Sequence, residues 1–173
     1  GALLLAPALA KGAELLFRLQ QEVLPLPSGY DAEGAFGGLL DLPAWALLFL
    51  VAASPAICEE LLFRGALLSG LRRDQGAAKS IWTSALLFGL VHASIHRFLP
   101  TTILGALLAA LSLSSRSLWP AIALHGAYNA ILVLHMLAAR DGTTLEWLPE
   151  WSPWLAPVGL ALCAWSHARA RAR

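Results

Sequence analysis

From residue 43 onward the chain is a succession of apolar blocks separated by short polar breaks. At roughly 20 residues per spanning helix, these blocks accommodate about five membrane crossings. Composition points the same way: 58% of residues are hydrophobic and 13% charged, where about a quarter are charged in an ordinary soluble domain. The expected fold is therefore all-α, a polytopic transmembrane helical bundle. Net charge is +1 and the basic residues sit at segment ends, so the clustered basic stripe of a nucleic-acid binder is missing and no nucleic-acid partner is expected.

Residues 11–24 place Leu16, Leu19 and Val23 near one helical face, with Glu14, Arg18 and Glu22 at four-residue spacing on another. That pattern predicts an amphipathic helix lying at the membrane interface. Pro25, Pro27, Ser28, Gly29, Gly34, Gly37 and Gly38 follow with Asp31 and Glu33, which is loop chemistry. Residues 1–41 are thus read as amphipathic helix plus external loop, and 42–173 as the membrane domain. The apolar run Leu3–Ala10 has no basic region before it and does not read as a secretory signal; a segment of a longer chain is the expectation.

The first span covers about 43–71. Pro55 inside it lacks an N–H and is expected to kink or loosen the helix just before Glu59. The second covers about 79–96, with Ala85, Gly89 and Ala93 forming a small-residue ladder that lets a neighbouring backbone approach closely. Further spans are expected at about 99–114, at 118–138 with Ser117 as cap and Pro120 in the first turn, and at 152–168. Arg72, Arg73 and Lys79, then Arg116, then the tail arginines 169, 171 and 173 mark connections expected to face the cytoplasm. Cys58 and Cys163 lie in apolar segments without ligand spacing and are read as packing residues.

Ionisable groups in hydrocarbon cost several kcal/mol unless paired or hydrated, so those inside spans are functional candidates. They are Glu59, Glu60 and Arg64 on the first span, His92 on the second, and His125 with the polar Asn129 one turn later on the fourth. Counting about 1.5 Å per residue from the nearest basic flank puts Glu59, His92 and Asn129 roughly 20 Å deep and His125 roughly 14 Å deep. Three helices bring polar groups to one level, which a shared site requires. Glu60 and Arg64 share a face at i,i+4 and are expected to pair, leaving Glu59, rotated by about 100°, to face the cavity. His96 is read as interfacial, His135 and His167 as solvated or interfacial, and Tyr128 as a packing residue.

Three motifs in order resemble the CPBP (Abi) family of intramembrane proteases, which includes CAAX prenyl endopeptidases and lysostaphin resistance protein A-like proteins. EExxxR reads Glu59-Glu60-Leu61-Leu62-Phe63-Arg64, FxxxH reads Phe88-Gly89-Leu90-Val91-His92, and HxxxN reads His125-Gly126-Ala127-Tyr128-Asn129. Each motif alone is common, but together inside apolar spans they are specific, and the resemblance covers about 55–135.

The resemblance implies a glutamate-dependent endopeptidase acting on a membrane-associated peptide or lipidated protein with a CAAX-like or C-terminal tail. Glu59 would be the general base that activates a water, helped by His92. His125 and Asn129 would orient that water or stabilise the oxyanion, and Glu60 with Arg64 would support them. Desolvation strengthens a carboxylate as a base, which suits amide hydrolysis. No metal is expected to be required, although such proteins are often described as metalloproteases; if zinc is present, Glu59, His92 and His125 are its expected ligands. The expected setting is a bacterial inner membrane, with lipid around the bundle, the cavity toward the cytoplasm and a fused or associated permease as a further partner. Alternatives are a relative serving bacteriocin processing, self-immunity or sorting-tail processing, a non-proteolytic transporter component, or a pseudo-enzyme scaffold.

Overall fold

A computed structural model describes residues 2–28, 34–143, 153, 156–161 and 163, and all that follows concerns these. They contain helices and no strand. The long elements are α1 (Ala2–Val23), α2 (Ala44–Asp74), α3 (Ala77–Val91), α4 (Ile95–Ser115) and α5 (Trp119–Arg140). Three of them, α2, α4 and α5, are long and apolar enough to cross a membrane. Of the span expected over 152–168, residues 153, 156–161 and 163 are described, with 156–161 helical, and the remainder lies outside the described residues. Only 28–39% of the apolar windows in these three helices is buried. Most of their apolar surface, including Trp45, Phe49, Leu61, Leu62, Ile103 and Trp119, faces outward, as contact with lipid requires.

The first helix starts well before the amphipathic stretch. Its apolar half, through Leu5, Ala6 and Ala10, packs with Leu104, Leu108 and Leu111 of α4 and Ala121, Leu124 and Ile131 of α5. Its polar half carries Glu14, held by Lys11 and Arg18. Helix α5 is the hub, touching α1, α2 and α4; Leu47 of α2 meets Val133 and Leu137 at its far end. Tyr128 packs against the main core. A 3-10 stretch, Gly34–Asp41, leads into α2 and is tied to the end of α5 by Arg140, whose Nη1 donates to the Leu40 carbonyl at 3.1 Å.

Helix α2 stays continuous through Pro55 by changing its width. Residues 48–53 and 61–67 form wide turns in which Ser54 N–H bonds the Phe49 carbonyl and Leu68 N–H bonds that of Phe63. Pro55 lacks a donor, and its ring would crowd the Val51 carbonyl in a regular helix; the wide turn ahead of it relieves both problems. The two wide stretches bracket Ser54–Glu60, so the loosening expected from the sequence surrounds the acidic pair.

The second span is shorter than expected. Helix α3 ends at Val91, Ala93 takes a left-handed φ of 49°, and His96 belongs to α4. Its 15 residues rise about 22 Å, less than a hydrocarbon core of about 30 Å. Of the proposed ladder, Ala85 and Gly89 are buried against α4, whereas Ala93 is exposed in the turn. A Cβ at Gly89 would stand 2.1 Å from Thr102 Oγ1, so only glycine permits this approach.

Candidate active site

Wide turns on either side of Ser54–Glu60 present two adjacent carboxylates in different directions. Glu60 is 0% exposed and points into the bundle, where its Oε1 accepts from Arg64 Nη1 at 2.6 Å and from His125 Nδ1 at 2.9 Å. Arg64, 2% exposed, also donates from Nη2 to the Gly105 carbonyl at 2.9 Å and lies 4.5 Å from the Phe88 ring centroid. One carboxylate thus joins α2, α4 and α5 through an arginine and a histidine. These charges are paired and hydrogen-bonded through Glu60 Oε1 and the two terminal nitrogens of Arg64, whereas Glu60 Oε2 and Arg64 Nε are buried without a hydrogen-bond partner.

Glu59 is placed differently. Its side chain is 33% exposed, and its Oε2 stands 3.9 Å from His125 Nε2. That separation exceeds a direct hydrogen bond, and Oε2 itself is buried without a hydrogen-bond partner. His125, 2% exposed, is therefore held between the glutamates, with Nδ1 committed to Glu60 and Nε2 turned toward Glu59.

His92 closes the C-terminus of α3. Its Nδ1 lies 2.8 Å from the Phe88 carbonyl, which sets Nδ1 as the donor and leaves Nε2 as the ring nitrogen for other work. Phe88 is 0% exposed and stands edge-on to His92 at 4.9 Å and to His125 at 5.7 Å between ring centroids. Phe88 therefore spaces the two imidazoles. Asn129 is half-buried one turn beyond His125 on α5, outside the hydrogen bonds that join Glu60, Arg64 and His125 among the described residues.

The structure brings Glu59, Glu60, Arg64 and His125 into one cluster, sets His92 beside it across Phe88, and follows His125 with Asn129. The sequence reading paired Glu60 with Arg64 but missed that Glu60 also anchors His125. It missed Gly105 as well, whose signal is a glycine in an otherwise apolar helix, a mark of close backbone approach. Gly105 sits where a Cβ would stand 3.1 Å from Phe88 and 3.4 Å from Arg64 Nη2. His96 lies edge-on to Phe17 of α1, 6.4 Å between centroids, away from the cluster.

Among the described residues no group of three or more His, Cys, Asp or Glu side chains is arranged to hold a metal ion. Nδ1 of His125 is bonded to Glu60 and Nδ1 of His92 to a backbone carbonyl, which leaves Nε2 of each ring as the nitrogen a metal would take, but Glu59, His92 and His125 are not gathered into such a group.

Comparison with known proteins adds one finding. The family model described as Type II CAAX prenyl endopeptidase Rce1-like matches residues 41–131, a stretch holding every candidate residue above. No curated protein and no solved structure matches the chain significantly.

Proposed function

Because the chain belongs to the Rce1-like family of type II CAAX prenyl endopeptidases, we propose that it is an intramembrane endopeptidase in which Glu59 activates the attacking water. The supporting observation is the contrast between neighbours: Glu60 is sealed by Arg64 and His125, while Glu59 is part-exposed with its Oε2 3.9 Å from the free nitrogen of His125.

A water between them gives one proton to the Glu59 carboxylate while His125 Nε2 orients it. The oxygen attacks the scissile carbonyl carbon, and the resulting oxyanion takes hydrogen bonds from the Asn129 amide, as His92 holds the water or the substrate backbone from the far side of Phe88. The C–N bond then breaks, and Glu59 returns its proton to the leaving amine. Such general-base help contributes about 10²–10⁴ in rate, and one oxyanion donor about 3–4 kcal/mol. No step is routed through a metal ion.

The proposed substrate is a membrane-associated protein with a CAAX-like or other C-terminal tail, cleaved from a cavity facing the side of Arg72, Arg73, Lys79 and Arg116, the cytoplasmic side by charge distribution. The test is mass spectrometry of membrane-protein C-termini in cells carrying the chain or its Glu59→Gln variant. Termini that revert to full length with the variant support the reading, and an unchanged set overturns it. Purified enzyme dialysed against a chelator is expected to keep its activity; loss that zinc alone restores would overturn the metal-free scheme.

A further inference from the structure

A cleft of about 520 Å³, lined by Arg64 but by neither glutamate, lies between the C-terminal half of α2 and the α4–α5 turn. Arg64 and Ser112 line its inner part, Ser69 its wall, and Arg72 and Arg116 also line it. No carboxylate is among the lining residues. Glu60 balances Arg64, whereas Arg72 and Arg116 are exposed and have no ion-pair partner among the described residues. Among the described residues the charge lining the cleft is therefore positive.

One observation independent of the charge points to a ligand. Buried polar atoms at the inner end lack partners: Arg64 Nε, on a residue 2% exposed, and Ser112 Oγ, on a residue 7% exposed. Natural proteins rarely leave such atoms unpaired, because each costs about 1–3 kcal/mol. Separately, Arg116 ends α4 in the left-handed conformation, φ 53° and ψ 32°, a position usually taken by glycine or asparagine. The left-handed backbone there costs an arginine about 1–2 kcal/mol that glycine would not pay.

The level of the cleft identifies the occupant. Arg72 lies in the last turn of one span, and Arg116 caps another. Trp119, three residues on and 75% exposed, is an aromatic of the kind found at headgroup depth. Basic pockets between spanning helices at that depth suit lipid phosphates. We propose that this cleft binds the phosphate of an anionic membrane-lipid headgroup, with Arg72 and Arg116 at its mouth and the Ser112 hydroxyl donating from within. The site stands apart from the reading of Glu59 as catalyst. A bound lipid would brace Arg64 from the cleft, tying the order of the glutamate cluster to the surrounding bilayer.

The test uses the full chain in neutral detergent, titrated with dihexanoyl phosphatidylglycerol, dihexanoyl phosphatidylcholine, inorganic phosphate or a short peptide with a free C-terminal carboxylate, and followed by thermal unfolding and native mass spectrometry. Phosphatidylglycerol is expected to raise Tm by several degrees and to give a retained one-to-one adduct, with phosphatidylcholine having little effect. Arg72→Gln and Arg116→Gly are each expected to weaken that binding about fivefold. Arg116→Gly relieves strain, so its Tm without lipid should equal or exceed that of the parent chain; lost binding then cannot be ascribed to misfolding. Equal effects of the two lipids, wild-type binding by both variants, or a shift produced as strongly by inorganic phosphate or the peptide would overturn the proposal.

Discussion

Glu59 and Glu60 are chemically near-identical neighbours on one helix, yet they occupy opposite environments. One step of about 100° around α2 turns Glu60 toward Arg64 and His125 and leaves Glu59 at an opening. On the sealed side, one carboxylate oxygen accepts two charge-assisted or polar bonds and three helices are joined. On the open side, Glu59 Oε2 stands 3.9 Å from His125 Nε2. Glu60 Oε1 and both terminal nitrogens of Arg64 are held by direct bonds, whereas the Glu59 carboxylate stands beyond hydrogen-bond reach of His125. The sealed half thus holds His125 by Nδ1 with Nε2 toward Glu59, the placement that the proposed general-base reading needs.

The largest effect should come from breaking the sealed side. Arg64→Ala leaves Glu60 buried and charged with only His125 for a partner, and removing one member of a buried pair costs about 3–5 kcal/mol. Thermal unfolding in detergent should show a large drop in Tm, with activity lost alongside it. A variant as stable as the parent would mean that Glu60 is not held as an ion, and the contrast between the two halves would fail.

Glu59→Gln is the complementary change. It preserves shape at a part-exposed position, so stability should shift by less than about 0.5 kcal/mol, while reporter cleavage falls about 10²–10⁴-fold. Measuring Tm and rate on one preparation separates the glutamates: stability without activity at 59, loss of both at 64. If Glu59→Gln destabilised the protein as much as Arg64→Ala, the open side would be structural as well.

Gly89 tests how the histidine side is held in place. A Cβ there would meet Thr102 Oγ1 at 2.1 Å and the Phe98 carbonyl at 3.0 Å, so Gly89→Ala must push α3 from α4. Overpacking of this kind costs about 1–3 kcal/mol. Because Phe88 spaces His92 from His125, the rate should fall more than stability alone explains. A rate unaffected at temperatures well below Tm would show that the two imidazoles need no fixed spacing.

Much of this arrangement was legible in the sequence because it is local. The four-residue step from Glu60 to Arg64 fixes their pairing on any helix, Pro55 marks the loosened segment, and Ser117, whose hydroxyl accepts from Trp119 N–H at 3.3 Å, marks the start of α5. What stayed hidden is non-local. Whether His125 meets Glu59 or Glu60 depends on the relative rotation of α2 and α5, which no spacing within either helix encodes. The early end of α3 was hidden for another reason: Val91-His92-Ala93-Ser94-Ile95 contains neither glycine nor proline, so the apolar run continues through a break. Ser94, the N-cap of α4 with extended φ of −137°, was the one cue to it.

That break yields the smallest and most exacting test. Ala93 holds φ 49°, where an L-residue other than glycine pays about 1–2 kcal/mol. Glycine removes that strain but enlarges the freedom of the unfolded chain, at a cost of about 0.4–1 kcal/mol. The first quantity exceeds the second, so Ala93→Gly should stabilise the protein by about 0.5 kcal/mol. The expected sign is a small rise in Tm with the rate unchanged, since the His92 ring is held by the Phe88 carbonyl within α3 rather than by the turn itself. A lower Tm would mean that the left-handed turn is not adopted, and that α3 runs on past His92 as the apolar pattern alone suggests. An unchanged Tm with a slower rate would instead show that rigidity of the turn, beyond the bond to Phe88, is what keeps His92 on the open side of the site.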